Sequence, residues 1–104
     1  MKYHLFSILF FISTLYPDVV YRVPINGVID LGLPPFIERA LDEAEANNAK
    51  AVIFDINTFG GRVDAATQIK DAILSSKVPT IAFINRRAIS AGALISLSCE
   101  KIYM

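Results

Sequence analysis

Hydrophobic and polar positions divide the chain into an apolar leader and a series of alternating strand-like and helix-like patterns. Met1-Lys2-Tyr3-His4 precedes a run from Leu5 to Leu15 that only Ser7, Ser13 and Thr14 interrupt. One basic residue and about a dozen mostly apolar ones match a signal-peptide core, roughly 7–15 residues, and fall short of the roughly 20 that span a bilayer. The expectation is export, with residues 1–17 a signal peptide. Thr14-Leu15-Tyr16-Pro17 offers no clean small-x-small cleavage site, so an uncleaved membrane anchor stays open, as does a buried N-terminal element.

Beyond Pro17-Asp18 the pattern changes. Val19-Val20-Tyr21-Arg22-Val23-Pro24-Ile25 is a β-branched run, interrupted at Asn26-Gly27 and resumed at Val28-Ile29-Asp30, which predicts a first strand with a turn or bulge. Pro34 and Pro35 suit the first turn of a helix, where no N–H is needed. Phe36, Ile37, Ala40, Leu41 and Ala44 form its apolar face, and Glu38, Arg39, Asp42, Glu43 and Glu45 its solvated face. Asn47-Asn48 ends it.

Ala51 to Ile56 and Thr80 to Ile84 are near-continuous apolar runs of the kind found in parallel strands buried on both faces. Between them Val63 to Leu74 reads as a helix with Ala66, Ile69, Ala72 and Ile73 inward. A further helix runs through Ala93, Leu94 and Leu97, and Lys101-Ile102-Tyr103-Met104 begins another strand. The alternation predicts an α/β fold, a mostly parallel sheet with right-handed crossover helices.

With 104 residues, 54% of them hydrophobic, the composition is that of a folded chain with room for one domain. Ten basic and ten acidic residues give no net charge, so nothing points to nucleic acid or to a polybasic membrane patch. Cys99 is the only cysteine and His4 the only histidine, which excludes an internal disulfide and a Cys/His zinc site; no metal and no cofactor is expected. Cys99 reads as a small buried apolar residue. Roughly 85 residues after the leader are few for a sheet covered on both faces. The expectation is that residues 18–104 are the N-terminal part of a longer domain, incomplete at the C-terminus; the alternative is a short protein whose core another chain completes.

Candidate chemistry gathers at two strand-to-helix corners, Gly60-Gly61 and Ser90-Ala91-Gly92, both at the carboxyl ends of strands and hence facing one crevice. Glycines let backbone N–H groups approach a ligand, and a helix start adds a positive end. Taken singly, Gly-Gly is an ordinary turn and Ser90 an ordinary N-cap. A Ser-His-Asp triad cannot be assembled, because the one histidine lies in the leader. Nor does Lys2, Lys50, Lys70, Lys77 or Lys101 fall where a lysine base for Ser90 belongs.

The pair Asp55-Ile56-Asn57-Thr58-Phe59-Gly60-Gly61-Arg62-Val63-Asp64-Ala65-Ala66 and Ile89-Ser90-Ala91-Gly92-Ala93 resembles the NfeD-family membrane-bound serine proteases of the Clp protease/crotonase-like superfamily, from about Val20 to the last residue. The resemblance implies a Clp protease/crotonase-like fold, with Ser90 as nucleophile and the N–H groups of Gly61 and Ala91 as the oxyanion hole. Gly60 and Phe59 would line the substrate path, and a lysine beyond Met104 would serve as base. It further implies cleavage of apolar segments of membrane proteins, stomatin-like ones included, membrane association outside the cytoplasm, and homo-oligomers. This chain has Phe59 where the family turn usually has proline, which restores an N–H, frees φ and adds bulk beside the crevice. Two other classes compete: a peptide-binding module without a base, and a crotonase-type acyl-CoA enzyme.

Overall fold

The structure is a computed structural model that describes residues 17–104, so the expectation for the leader lies, save Pro17, outside the described residues. Seven elements alternate: β1 (Val20–Asn26), α1 (Leu33–Ala46), β2 (Ala51–Thr58), α2 (Val63–Leu74), β3 (Thr80–Ala88), α3 (Ala91–Ser98) and β4 (Lys101–Tyr103). The strands form one parallel sheet in the order β1-β2-β3-β4. Among the described residues, no helix is long and apolar enough to cross a membrane.

Each element follows from its local chemistry. Proline in the first turn of α1 removes an N–H that has no helical partner, and Asn48 at φ 53 ends the helix in the left-handed region. Val23, Ile25, Val52, Phe54, Ile56 and Ala82 alternate onto the helix side of the sheet, where Ile37, Leu41, Ala65, Ala66, Ile69 and Ile95 meet them. Phe54 and the isoleucines in this set are fully buried, each contributing about 1.5–3 kcal/mol of transfer free energy. α1 packs on α2 and α2 on α3, so a single helix layer covers the sheet.

Three expectations need correction. β2 and β3 are not buried on both faces: the residues alternating with the core positions, Ile53, Ile81 and Phe83, are only half-buried or exposed. With Arg22, Asp55 and Tyr103 they line an open hollow of about 390 Å³. The apolar runs were continuous because this second face is apolar too, and no described element covers it. Phe36 points outward, because α1 buries Pro34, Ile37, Leu41 and Ala44. Finally, the first strand does not resume at Val28-Ile29-Asp30. Only Ile29 makes a bridge there, and its partner is Gly61.

Candidate active site

The isolated bridge between Ile29 and Gly61 orients the first corner. Ile29 donates its N–H to the Gly60 carbonyl (3.0 Å) and accepts from the Arg62 N–H (2.8 Å). In a parallel bridge the central residue's own N–H and C=O then point the other way. The Gly61 N–H therefore faces away from Ile29, and no described residue accepts from it. Glycine is required here because a Cβ would stand 2.7 Å from the Ile29 nitrogen and closer still to its carbonyl oxygen.

The second corner lies against the first. A Cβ on Gly60, at φ 109, would stand 2.9 Å from the Ile89 carbonyl oxygen, 3.0 Å from the Ser90 Cβ and 3.3 Å from the Ala91 nitrogen. Sequence placed both corners at one crevice; the fold brings them into backbone contact. Thr58, fully buried, joins them. Its hydroxyl donates to the Gly27 carbonyl and accepts from the Gly60 N–H (2.9 Å), its carbonyl accepts from the Ile89 N–H (3.1 Å), and its methyl fills the space that the missing Cβ of Gly92 leaves. Sequence reasoning missed Thr58; its one signal was a hydroxyl at the end of an apolar strand, directly before the Phe-Gly-Gly turn.

Ser90 occupies the N-cap position of α3 without capping it. Its side chain makes no cap hydrogen bond, and its backbone sits at φ 56, ψ −116, a region that L-residues rarely adopt. The side chain is exposed. Ala91, the first helical residue, carries an N–H that has no partner within the helix. An unused hydroxyl on a strained corner thus stands beside two unused N–H groups, an arrangement able to bind a carbonyl oxygen and present an oxygen nucleophile to its carbon.

The described lysines lie elsewhere. The Lys50 N–H bonds to Val19 at the starting edge of the sheet, and Lys101 begins β4. Lys77 pairs with Glu45 (3.6 Å) and Lys70 with Asp71 (3.1 Å). Beside Gly61, Arg62 grips Asp64 through two hydrogen bonds of 3.0 and 2.7 Å. That pairing holds the Asp64 carboxyl below its ordinary range and the Arg62 guanidinium above its own. Among the described residues, no three His, Cys, Asp or Glu side chains group as metal ligands. Phe59 projects at 71% exposure, and the Arg87 guanidinium lies over its ring, 4.5 Å from the centroid. A larger hollow, about 500 Å³ between α1 and α2, is lined by Glu45 and Asp71 and includes none of Phe59, Gly60, Gly61, Arg87, Ser90 and Ala91.

A parallel α/β sheet with a layer of crossover helices is the fold of ClpP-like protease domains. ClpP1 of Listeria monocytogenes, solved as a mutant, matches with a TM-score of 0.72 at 29% identity, over 76% of this chain and 46% of that one. The chain belongs to the NfeD1b N-terminal domain family, whose sequence profile matches residues 19–104. It is 42% identical to membrane protein NfeD1b of Bacillus subtilis (strain 168) over 87 residues, and 36% identical to membrane-bound protease PH1510 of Pyrococcus horikoshii over 90. Each alignment covers 84% of this chain and 20% of the relative, so the chain spans about a fifth of the length of these relatives. The 1510-N membrane-bound stomatin-specific protease from P. horikoshii, solved as a lysine-to-alanine mutant with a substrate peptide, matches with a TM-score of 0.76 at 34% identity. That match covers 85% of this chain and 42% of the other.

Proposed function

We propose that residues 18–104 carry the nucleophile and oxyanion hole of a membrane-associated serine endopeptidase. Ser90 Oγ attacks a peptide carbonyl, and the N–H groups of Gly61 and Ala91 take up the charge that develops on its oxygen. The observation that carries this reading is the contact between the two corners, with an unused hydroxyl on one side and an unused N–H on each. Donors fixed in advance by the fold need no rearrangement as charge develops, and one such donor is worth about 10²–10³ in rate.

A serine hydroxyl needs a base, and the described lysines lie away from the crevice. The base in this reading is a lysine supplied from outside residues 18–104, giving a Ser-Lys dyad, and these residues alone are inactive. The substrates are apolar segments of membrane proteins, stomatin-like ones among them; the stomatin-like part alone draws support from the specificity of the P. horikoshii protease for a stomatin homolog. An exported, membrane-held domain on the extracytoplasmic side, assembled as a homo-oligomer, completes the reading. A fluorophosphonate probe applied to the full reading frame tests it: labelling is expected, and is lost in Ser90→Ala. No labelling, or labelling that Ser90→Ala leaves unchanged, overturns it. That no described lysine reaches the two corners favours one second reading, a peptide-binding module, which would bind the same segments without turnover.

A further inference from the structure

The end of β3 is irregular in a way that places one side chain. Ile56 pairs with Ile84, but Thr58, two residues on, pairs with Ala88, four residues on. Two extra residues are therefore accommodated between Ile84 and Ala88, and Arg86 takes up the turn at φ 87, outside the regions ordinary for an arginine. The bulge brings Arg87 over Phe59, the residue directly before Gly60. One face of the guanidinium is thus held against an aromatic ring at the mouth of the crevice.

A stacked guanidinium keeps its N–H groups around its rim, where they meet a planar anion in fork geometry. No described residue accepts a hydrogen bond from Arg87, and neither Arg86 nor Arg87 has an ion-pair partner among the described residues, whereas Arg62, three residues on from Phe59, is committed to Asp64. The nearby Asp30 carboxylate is also engaged, accepting from the Gly32 N–H at 2.9 Å. The mouth of the crevice therefore carries a positioned cation with its donors free.

We infer that the Phe59–Arg87 stack is a specificity element that reads a carboxylate on the bound peptide, close to the bond presented to Ser90. The carboxylate belongs either to an Asp or Glu side chain or to the peptide's C-terminus. This rests on the crevice being the peptide site proposed above. It adds an acidic requirement to substrates otherwise apolar, and it gives a use to Phe59, whose ring is the platform that fixes Arg87.

Fluorescence anisotropy on the chain in a Ser90→Ala background tests the inference with three labelled apolar peptides. One has a central Glu and a blocked C-terminus, one a central Gln and a blocked C-terminus, and one a central Gln and a free C-terminus. At least one carboxylate-bearing peptide is expected to bind about tenfold tighter than the fully neutral one, the size of a single good charge-assisted fork. Which of the two it is identifies the source. Arg87→Gln should bring all three within about twofold, while Arg86→Gln should leave the preference intact. Phe59→Leu, at an exposed site where folding is not at stake, should cut the preference to about threefold by freeing the guanidinium.

Equal binding of the three peptides, or a preference that survives both Arg87→Gln and Phe59→Leu, overturns the inference and leaves the peptide site standing. Failure of every peptide to bind overturns the peptide site and the inference together.

Discussion

Gly61→Ala isolates the contact on which the site depends, and its cost can be worked from the structure against Gly27→Ala. Gly27 sits at φ 81 with nothing within 4 Å of a Cβ, so alanine there costs only the left-handed backbone, about 1–2 kcal/mol. At Gly61 the backbone, φ 157, is also one that L-residues rarely adopt, and a steric cost is added to it: the methyl would stand 2.7 Å from the Ile29 nitrogen and 2.9 Å from its carbonyl carbon. Ordinary contacts are about 3.5–4.0 Å, so the two segments must part by nearly ~1 Å. That stretches the Ile29 N–H to Gly60 and Arg62 N–H to Ile29 bonds, worth about 1 kcal/mol each, and displaces the fully buried Ile29 side chain at an overpacking cost of about 1–3 kcal/mol. The sum, about 3–5 kcal/mol, is a large share of the roughly 5–15 kcal/mol that holds a domain together. Urea unfolding followed by circular dichroism, with the two variants side by side, measures the difference. A loss for Gly61→Ala no greater than for Gly27→Ala would refute the close approach and, with it, the orientation assigned to the Gly61 N–H.

Three further predictions probe the same corner and its surroundings. Because the Ser90 hydroxyl caps nothing, Ser90→Ala should change stability by less than about 0.5 kcal/mol, and Ser90→Gly should raise it by about 1 kcal/mol by relieving φ 56; a loss of about 1 kcal/mol in Ser90→Ala would restore the cap reading. Thr58→Val removes the acceptor of the Gly60 N–H and the donor to Gly27, so a loss of about 2–3 kcal/mol and faster amide exchange at Gly60 are expected; unchanged exchange there would show that Thr58 does not hold the corners together. Burial pushes the Cys99 thiol up to about 11 from 9.0, so the folded state keeps its proton longer, and this contribution to stability is full below pH 9.0 and lost as pH rises through 11. The rate of alkylation by iodoacetamide should accordingly rise near pH 11 in the folded chain and near 9 in urea; a native midpoint near 9 would place the thiol in water.

The element order was legible because each element announces itself locally: Pro34-Pro35 opening one helix, Val63 to Leu74 spanning another, and strands rich in Ile and Val. What sequence could not show was which side of each strand meets a neighbour. Ile53 and Ile81 look like core residues, and only the single helix layer leaves them on an open face. Phe36 was misplaced for a related reason, since a one-residue error rotates a helical position by about 100° and carries it off the buried stripe. At the site, the two corners were legible as Gly-Gly and Ser-Ala-Gly. Their contact depends on Thr58, and the placing of Arg87 depends on a register shift, both of them long-range pairings that leave no local periodicity behind.

The strain at Ser90 is the last link in that chain of pairings. A serine held at φ 56 persists only where its surroundings over-determine it, and here Gly60 leaves no room behind it, the Thr58 carbonyl fixes the N–H of the preceding Ile89, and Gly92 seats the new helix on the Thr58 methyl. All three constraints come from the end of β2, the turns that follow β2 and β3, and the first turn of α3. In the proposed reading, the acyl-transfer half of the site is therefore assembled by the two corners and the first turn of α3, and does not wait on a base. A lysine arriving from elsewhere would meet a hydroxyl and two N–H groups already in position. In the full reading frame, a Ser90→Gly variant that is more stable and, unlike the unsubstituted protein, cannot be labelled would show both halves of this relation at once: the conformation costs stability, and the hydroxyl it displays is what that cost maintains.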